Sequence, residues 1–143
     1  MNDIAFVERA VSLLASKGVD AWVFGGWGEE LRGLIKPREH VDLDLLYPAE
    51  DWSIVDNLYL DWDEGKRFDW KRAFMLEGIR VELFLVQYDA RGWYTQLERR
   101  RHNWPANVFA GTGRTPVVST AALAGYRHSY RVDAADIADA DAA

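Results

Sequence analysis

The sequence predicts an α+β fold, built as two layers in which helices pack on a mixed β-sheet. Three observations point there. An amphipathic helical stretch opens the chain and is followed by short apolar runs of strand length. A glycine pair, Gly25-Gly26, stands where one such run gives way to a helix. Glu77-Gly78 joins two later runs as a hairpin turn.

In chain order, Ile4, Val7, Val11 and Leu14 recur at helical spacing, with Asn2 or Asp3 to cap the start and Gly18 to end it. Ala21 to Phe24 reads as a strand running into the glycines. Trp27 to Leu34 reads as a short helix, closed off by Pro37. Val41 to Tyr47 is a second strand with Pro48 as its stop, and Ala49 to Leu60 reads as a helix. Phe68 to Leu76 and Ile79 to Gln87 are the strands of the hairpin. A helix near 91–101 and a loop are expected next. Pro116-Val117-Val118 forms a short strand, and Ser119-Thr120 caps a helix reaching Tyr126. The Ala/Asp tail from Asp133 is helix-compatible and frays. No repeat and no long linker interrupts this order. The reading is one domain over 1–143, with a core motif at 22–47, a carboxylate-bearing strand at 79–87 and a C-terminal helical segment at 119–143.

Composition narrows the classes. The 143 residues are 49% apolar and 28% charged, which suits one globular domain and excludes disorder and coiled coil. No apolar run nears the roughly 20 residues of a membrane helix. Charges occupy the N-terminal stretch where a secretion signal would be apolar, so the expected location is the cytoplasm. The absence of cysteine removes disulfides and thiolate metal sites. A net charge of −6 disfavours nucleic acid as a partner, despite the basic run Arg99-Arg100-Arg101, and favours a cationic small molecule.

The chemistry concentrates in carboxylates. Asp42 and Asp44 lie two apart in a strand, so they share a face at roughly 6–7 Å, while Val41, Leu43 and Leu45 take the other. Two adjacent carboxylates resist ionisation, and a divalent cation resolves the conflict. Glu82, between apolar neighbours on a second strand, reaches the same face if the two strands adjoin. It is then a third metal ligand or a general base. Gly25-Gly26 exposes bare backbone N–H groups, a setting for phosphate. Together these are the parts for phosphoryl or nucleotidyl transfer. His102 and His128 stand alone and receive no role.

The stretch from Val23 to Tyr47 resembles the nucleotidyltransferase superfamily, and within it the aminoglycoside and lincosamide nucleotidyltransferase-like family. The resemblance is carried by Gly25, Gly26, Trp27, Glu30, Arg38, His40, Asp42 and Asp44. Weaker likeness continues through Glu82, Trp104-Pro105, Gly111-Thr112-Gly113 and the block Tyr130 to Ile137. Glu30 and Glu82 stand where the family usually has aspartate, and Val132 where it has lysine.

The resemblance implies transfer of a nucleoside monophosphate from an NTP, with ATP the first choice, to a hydroxyl of a small molecule. Asp42, Asp44 and Glu82 would be catalytic and would hold Mg2+, as one ion or two. Gly25, Gly26, Trp27, Glu30, Arg38 and His40 would form the nucleotide side, with Trp27 more a packing residue than a stacking one. Larger members add a helical domain to the acceptor site, so a homodimer could complete it here. The rival readings are a nucleotide-binding protein with altered catalysis, and a toxin–antitoxin-type enzyme acting on a protein or RNA.

Overall fold

The computed structural model describes residues 1–110 and 115–126. Helix α1 (Ile4–Ser16) leads to strand β1 (Trp22–Phe24) and the short helix α2 (Gly25–Leu31). Strand β2 (Asp42–Pro48) follows, then β3 (Asp61–Trp62), β4 (Lys71–Leu76), β5 (Ile79–Asp89), β6 (Gly92–Leu97) and β7 (Arg100–Asn103). A helix, α3, occupies 120–126. The sheet runs β1-β2-β5-β4-β3, with β6 on the far end of β5 and β7 on β6. Only the β2–β5 pair is parallel among the described strands, which makes the sheet mixed, as expected.

Asp3 caps α1 by accepting the Phe6 N–H at 2.9 Å. The buried stripe of α1 is Phe6, Val7, Ala10 and Leu14, and Ile4 is left 41% exposed, so the helix is rotated from the expected Ile4–Val11 face. Past its end, Val19 N–H returns to Leu14 O at 2.9 Å and turns the chain toward β1. Helix α2 begins at Gly25, directly on the end of β1, two residues before the expected start. The hairpin turn is confirmed: Glu77 and Gly78 both have positive φ, 53° and 78°, as a two-residue turn of matching twist requires.

Two expectations fail. Residues 49–60 are not a helix but a loop with one 3-10 turn, Val55–Asn57. Asp51 accepts the Ser53 N–H at 2.9 Å and the Asn57 amide donates to Ser53 O at 2.8 Å, local bonds that compete with helix propagation. Trp52 and Val55 still bury from this loop. Residues 91–101 are not a helix either but the β6–β7 hairpin. Trp93-Tyr94-Thr95 favours strand, and Asp89 holds the far strand through Arg101 at 2.6 and 2.9 Å. The expected strand at Pro116–Val118 is a single parallel bridge, Val117 on Val23. Ser119 caps α3 as expected, its Oγ accepting the Ala122 N–H at 3.2 Å. The Gly111-Thr112-Gly113 turn and the tail beyond Tyr126 lie outside the described residues.

Strand alternation divides the core between the two faces of the sheet. On one face Leu43, Leu45, Val81, Leu83 and Val23 pack with α1. On the other, Phe24, Leu46 and Val86 pack with Trp104, Val108, Val118 and Leu123 of the 104–123 region. This second face carries an apolar patch at one end and the carboxylates at the other.

Candidate active site

The parallel register of β2 and β5 sets Asp44 beside Glu82 and Asp42 beside Arg80. The antiparallel register of β5 and β4 sets Glu82 beside Ala73. Residues at even positions of β2 and β5 therefore line one face, and three carboxylates meet there. Asp42, Asp44 and Glu82 each offer an oxygen, and these lie within 4.8 Å of one another. The expectation that Glu82 would reach the aspartates depended on β2 and β5 being neighbours, and they are.

The cluster is electrostatically tense. Burial raises the Asp44 carboxyl first, then the neighbouring Asp42 and a hydrogen bond with Glu82, to about 8. Asp42 is also raised, chiefly by burial and then by Glu82. Lys71 on β4 answers the charge: its ammonium is 3.0 Å from a Glu82 oxygen, with the side chains only 14% and 10% exposed. It also lies 5.2 Å from the centre of the Phe84 ring. Arg80 adds a second cation, bound to Asp63 at 3.3 Å, and its Nε is buried without a hydrogen-bond partner.

Gly25 abuts this cluster. Its φ is +64°, and a Cβ there would fall 2.5 Å from Asp44 Oδ2. The Asp44 carboxylate thus lies in space that a side chain at position 25 would fill, and glycine serves both the backbone angle and the close approach. Phe24, the last residue of β1, pairs with Asp44 in register, which is what aims the glycine turn at the carboxylates.

The other motif residues form a clasp behind the strand. Glu30 Oε1 accepts the Arg38 N–H at 2.9 Å and meets His40 Nε2 at 3.0 Å. These two hydrogen bonds hold the Glu30 carboxyl below its ordinary range, the Arg38 amide first. The His40 ring stacks on Trp27 at 4.2 Å. Asn2 closes the clasp: its Oδ1 accepts from Trp27 Nε1 at 2.9 Å, and its amide donates to His40 O at 2.9 Å and Asp42 O at 3.1 Å. Arg38 alone of this group is exposed, with its guanidinium packed against Gly26. Trp27, Glu30, Arg38 and His40 line a hollow of about 560 Å³ together with Asn2, and none of the three carboxylates lines it.

Sequence reasoning missed Lys71, Arg80 and the clasp role of Asn2. Alternation in the hairpin strands carried a signal for the first two, because Lys71 and Arg80 share their faces with Ala73 and Glu82. For Asn2 there was only the helix-cap reading.

Three hard oxygen donors at this spacing, one of them pushed up to about 8 by burial and then by its acidic neighbours, suit a divalent cation of the magnesium type. The residues present fit such an ion.

Comparison with known proteins agrees with this geometry. Residues 6–119 match the family model described as aminoglycoside-2''-adenylyltransferase. Among solved structures, ANT(2'')-Ia in complex with adenylyl-2''-tobramycin is similar over 93% of this chain and 78% of its own, with a TM-score of 0.61 and 17% identity. A candidate nucleotidyltransferase from Thermotoga maritima is similar over 95% of this chain and 89% of its own, with a TM-score of 0.56 and 17% identity. No curated protein sequence matches. These two likenesses bear on the fold, which is that of nucleotidyltransferases. The family match extends from α1 to the start of α3 and takes in every carboxylate of the cluster, so the chain belongs to the aminoglycoside-2''-adenylyltransferase family of nucleotidyltransferases.

Proposed function

We propose that this protein moves a nucleoside monophosphate from an NTP, with ATP as the preferred donor, to a hydroxyl of an aminoglycoside-like polycationic small molecule. The observation that carries the reading is the convergence of Asp42, Asp44 and Glu82 on one sheet face within 4.8 Å, against a glycine turn that leaves room for them. Family membership supports the reaction type. The net charge of −6 supports a cationic acceptor.

Asp42 and Asp44 would hold Mg2+. When bound there, the ion neutralises triphosphate charge and polarises the phosphorus under attack. The bare backbone at Gly25 and Gly26 gives the phosphates access, and the exposed Arg38 guanidinium beside Gly26 is their cationic contact. Glu82 takes the proton of the acceptor hydroxyl as its oxygen bonds to the α-phosphorus and the α–β bridging P–O bond breaks, releasing pyrophosphate. Trp27, Glu30 and His40 act through the backbone that they hold. A second subunit closing the acceptor side, and a cytoplasmic setting where NTPs are available, belong to the same proposal.

The test is incubation of the purified protein with radiolabelled ATP, Mg2+ and tobramycin, following pyrophosphate release and the mass of the antibiotic. A gain of one AMP per acceptor is expected. Asp42→Asn and Asp44→Asn should each lower turnover by at least about 10³-fold, because both sit where transition-state charge develops. Undiminished transfer in both variants would refute the metal assignment. A label that moves to protein or RNA, and to no small molecule, would refute the acceptor class.

A further inference from the structure

The three carboxylates and Lys71 form one charge system, and this bears on how many ions the site takes. Lys71 comes from β4, two strands away from Asp44, and its ammonium reaches across the sheet face to Glu82 at 3.0 Å. It is held from two sides, by that carboxylate and by the Phe84 ring. Both members of the pair are more than four-fifths shielded from solvent, so salt and water screen it little. Glu82 is thereby divided: Lys71 engages one of its oxygens, and Asp44 shares a hydrogen bond with the same side chain.

We infer that Lys71 is a built-in cation that takes the place of a second metal ion, so that the Asp42, Asp44 and Glu82 cluster binds one divalent cation. This rests on the metal-dependent reading above. In two-metal sites the ions lie about 3.5–4 Å apart and share carboxylate ligands. Here an ammonium already occupies Glu82 at 3.0 Å, and a second ion on that carboxylate would face its positive charge with little solvent to screen it. With Arg80 balanced by Asp63, the charges also close with one ion: three carboxylates against one lysine and one divalent cation leave no net charge before the nucleotide arrives. Lys71 acts through Glu82 and is a positioning residue. It fixes the Glu82 carboxylate that is to take the acceptor proton.

The experiment counts ions. Native mass spectrometry of the wild-type chain with Mn2+ and the α,β-methylene analogue of ATP should show one Mn2+ per chain. Lys71→Met, which keeps length and removes charge, should show two, and calorimetry should show its first Mn2+ binding at least tenfold tighter. Lys71→Arg should restore one. Two ions in the wild type would overturn the inference, and so would a Lys71→Met protein with wild-type count and affinity. If Lys71→Met does not fold, the wild-type count decides alone. A wild-type chain that binds neither Mn2+ nor the analogue would overturn the metal-dependent reading itself, a different result from binding two.

Discussion

Asp44 is the residue at which stability and activity pull apart. Its carboxyl sits between Asp42 and Glu82, with Lys71 as the nearby cation, and titrates at about 8 in the folded chain. An unfolded aspartate titrates near 4. Between these values the folded state retains a proton that the unfolded state has released, so rising pH favours unfolding across that window. Asp44→Asn removes this penalty. The variant should match the wild type near pH 4 and gain on it by about 1.4 kcal/mol per pH unit toward pH 8. Melts of the metal-free proteins at several pH values check it, and equal Tm differences at all pH values would contradict it. The same proton must leave when a cation binds, so metal affinity should climb with pH until about 8. From the sequence, the Asp42–Asp44 pair was readable through alternation alone. Its degree of protonation was not, because that depends on burial and on Glu82 across a register no local pattern encodes.

The clasp formed by Asn2, Trp27, Glu30 and His40 belongs to the scale of elements. It ties α2 and the lead of α1 to the backbone that enters β2, where the aspartates begin. Asn2→Ala removes three hydrogen bonds and leaves Trp27 Nε1 and two backbone carbonyls seeking partners, a cost of about 1–3 kcal/mol. The expected result is a folded protein whose kcat falls about 10- to 100-fold, as the carboxylates lose their fixed position. Steady-state kinetics beside a thermal melt separate the two effects, and an unchanged kcat would show that the clasp is purely structural. Elements with strong local signals were legible: β2, β5 and the Glu77-Gly78 turn came from alternation and turn chemistry. Residues 49–60 and 91–101 were misread for opposite reasons. In the first, the apolar spacing of Trp52 and Val55 suited a helix, but side-chain hydrogen bonds from Asp51 and Asn57 engage the backbone instead. In the second, the expected helix yields to a strand held from outside it, by Asp89, twelve residues before its Arg101 partner.

For the whole molecule, the carboxylate cluster makes the folded state responsive to ligand. The fold holds three acids together at a cost that a divalent cation and nucleotide would relieve, so binding and stability are linked. At about 100 times its dissociation constant, Mg2+ with a non-hydrolysable NTP should add about 2.7 kcal/mol, near 5–10 °C in Tm for a chain of this size. Differential scanning fluorimetry should show this rise in the wild type and lose it in the Asp42→Asn/Asp44→Asn double variant. A double variant that still shifts would place the donor elsewhere. No helix among the described residues is long and apolar enough to cross a membrane. The general architecture, a mixed sheet with helices on it, followed from element order. The two-faced division of the core did not, since it arises from strand pairings made far apart in sequence.

The parallel pairing of β2 with β5 has a kinetic meaning. The β4–β5 hairpin closes locally, but Asp44 reaches Glu82 only after the intervening chain has looped back on itself. Long-range parallel pairing is slow to form, because chain entropy is lost before the contacts that reward it are made. The acids also repel one another as they approach. The carboxylate face should therefore assemble after the hairpin, and pulsed hydrogen exchange during refolding should protect the β4–β5 amides before those of β2. A cell that supplies Mg2+ and nucleotide would capture the chain only once that last closure is complete.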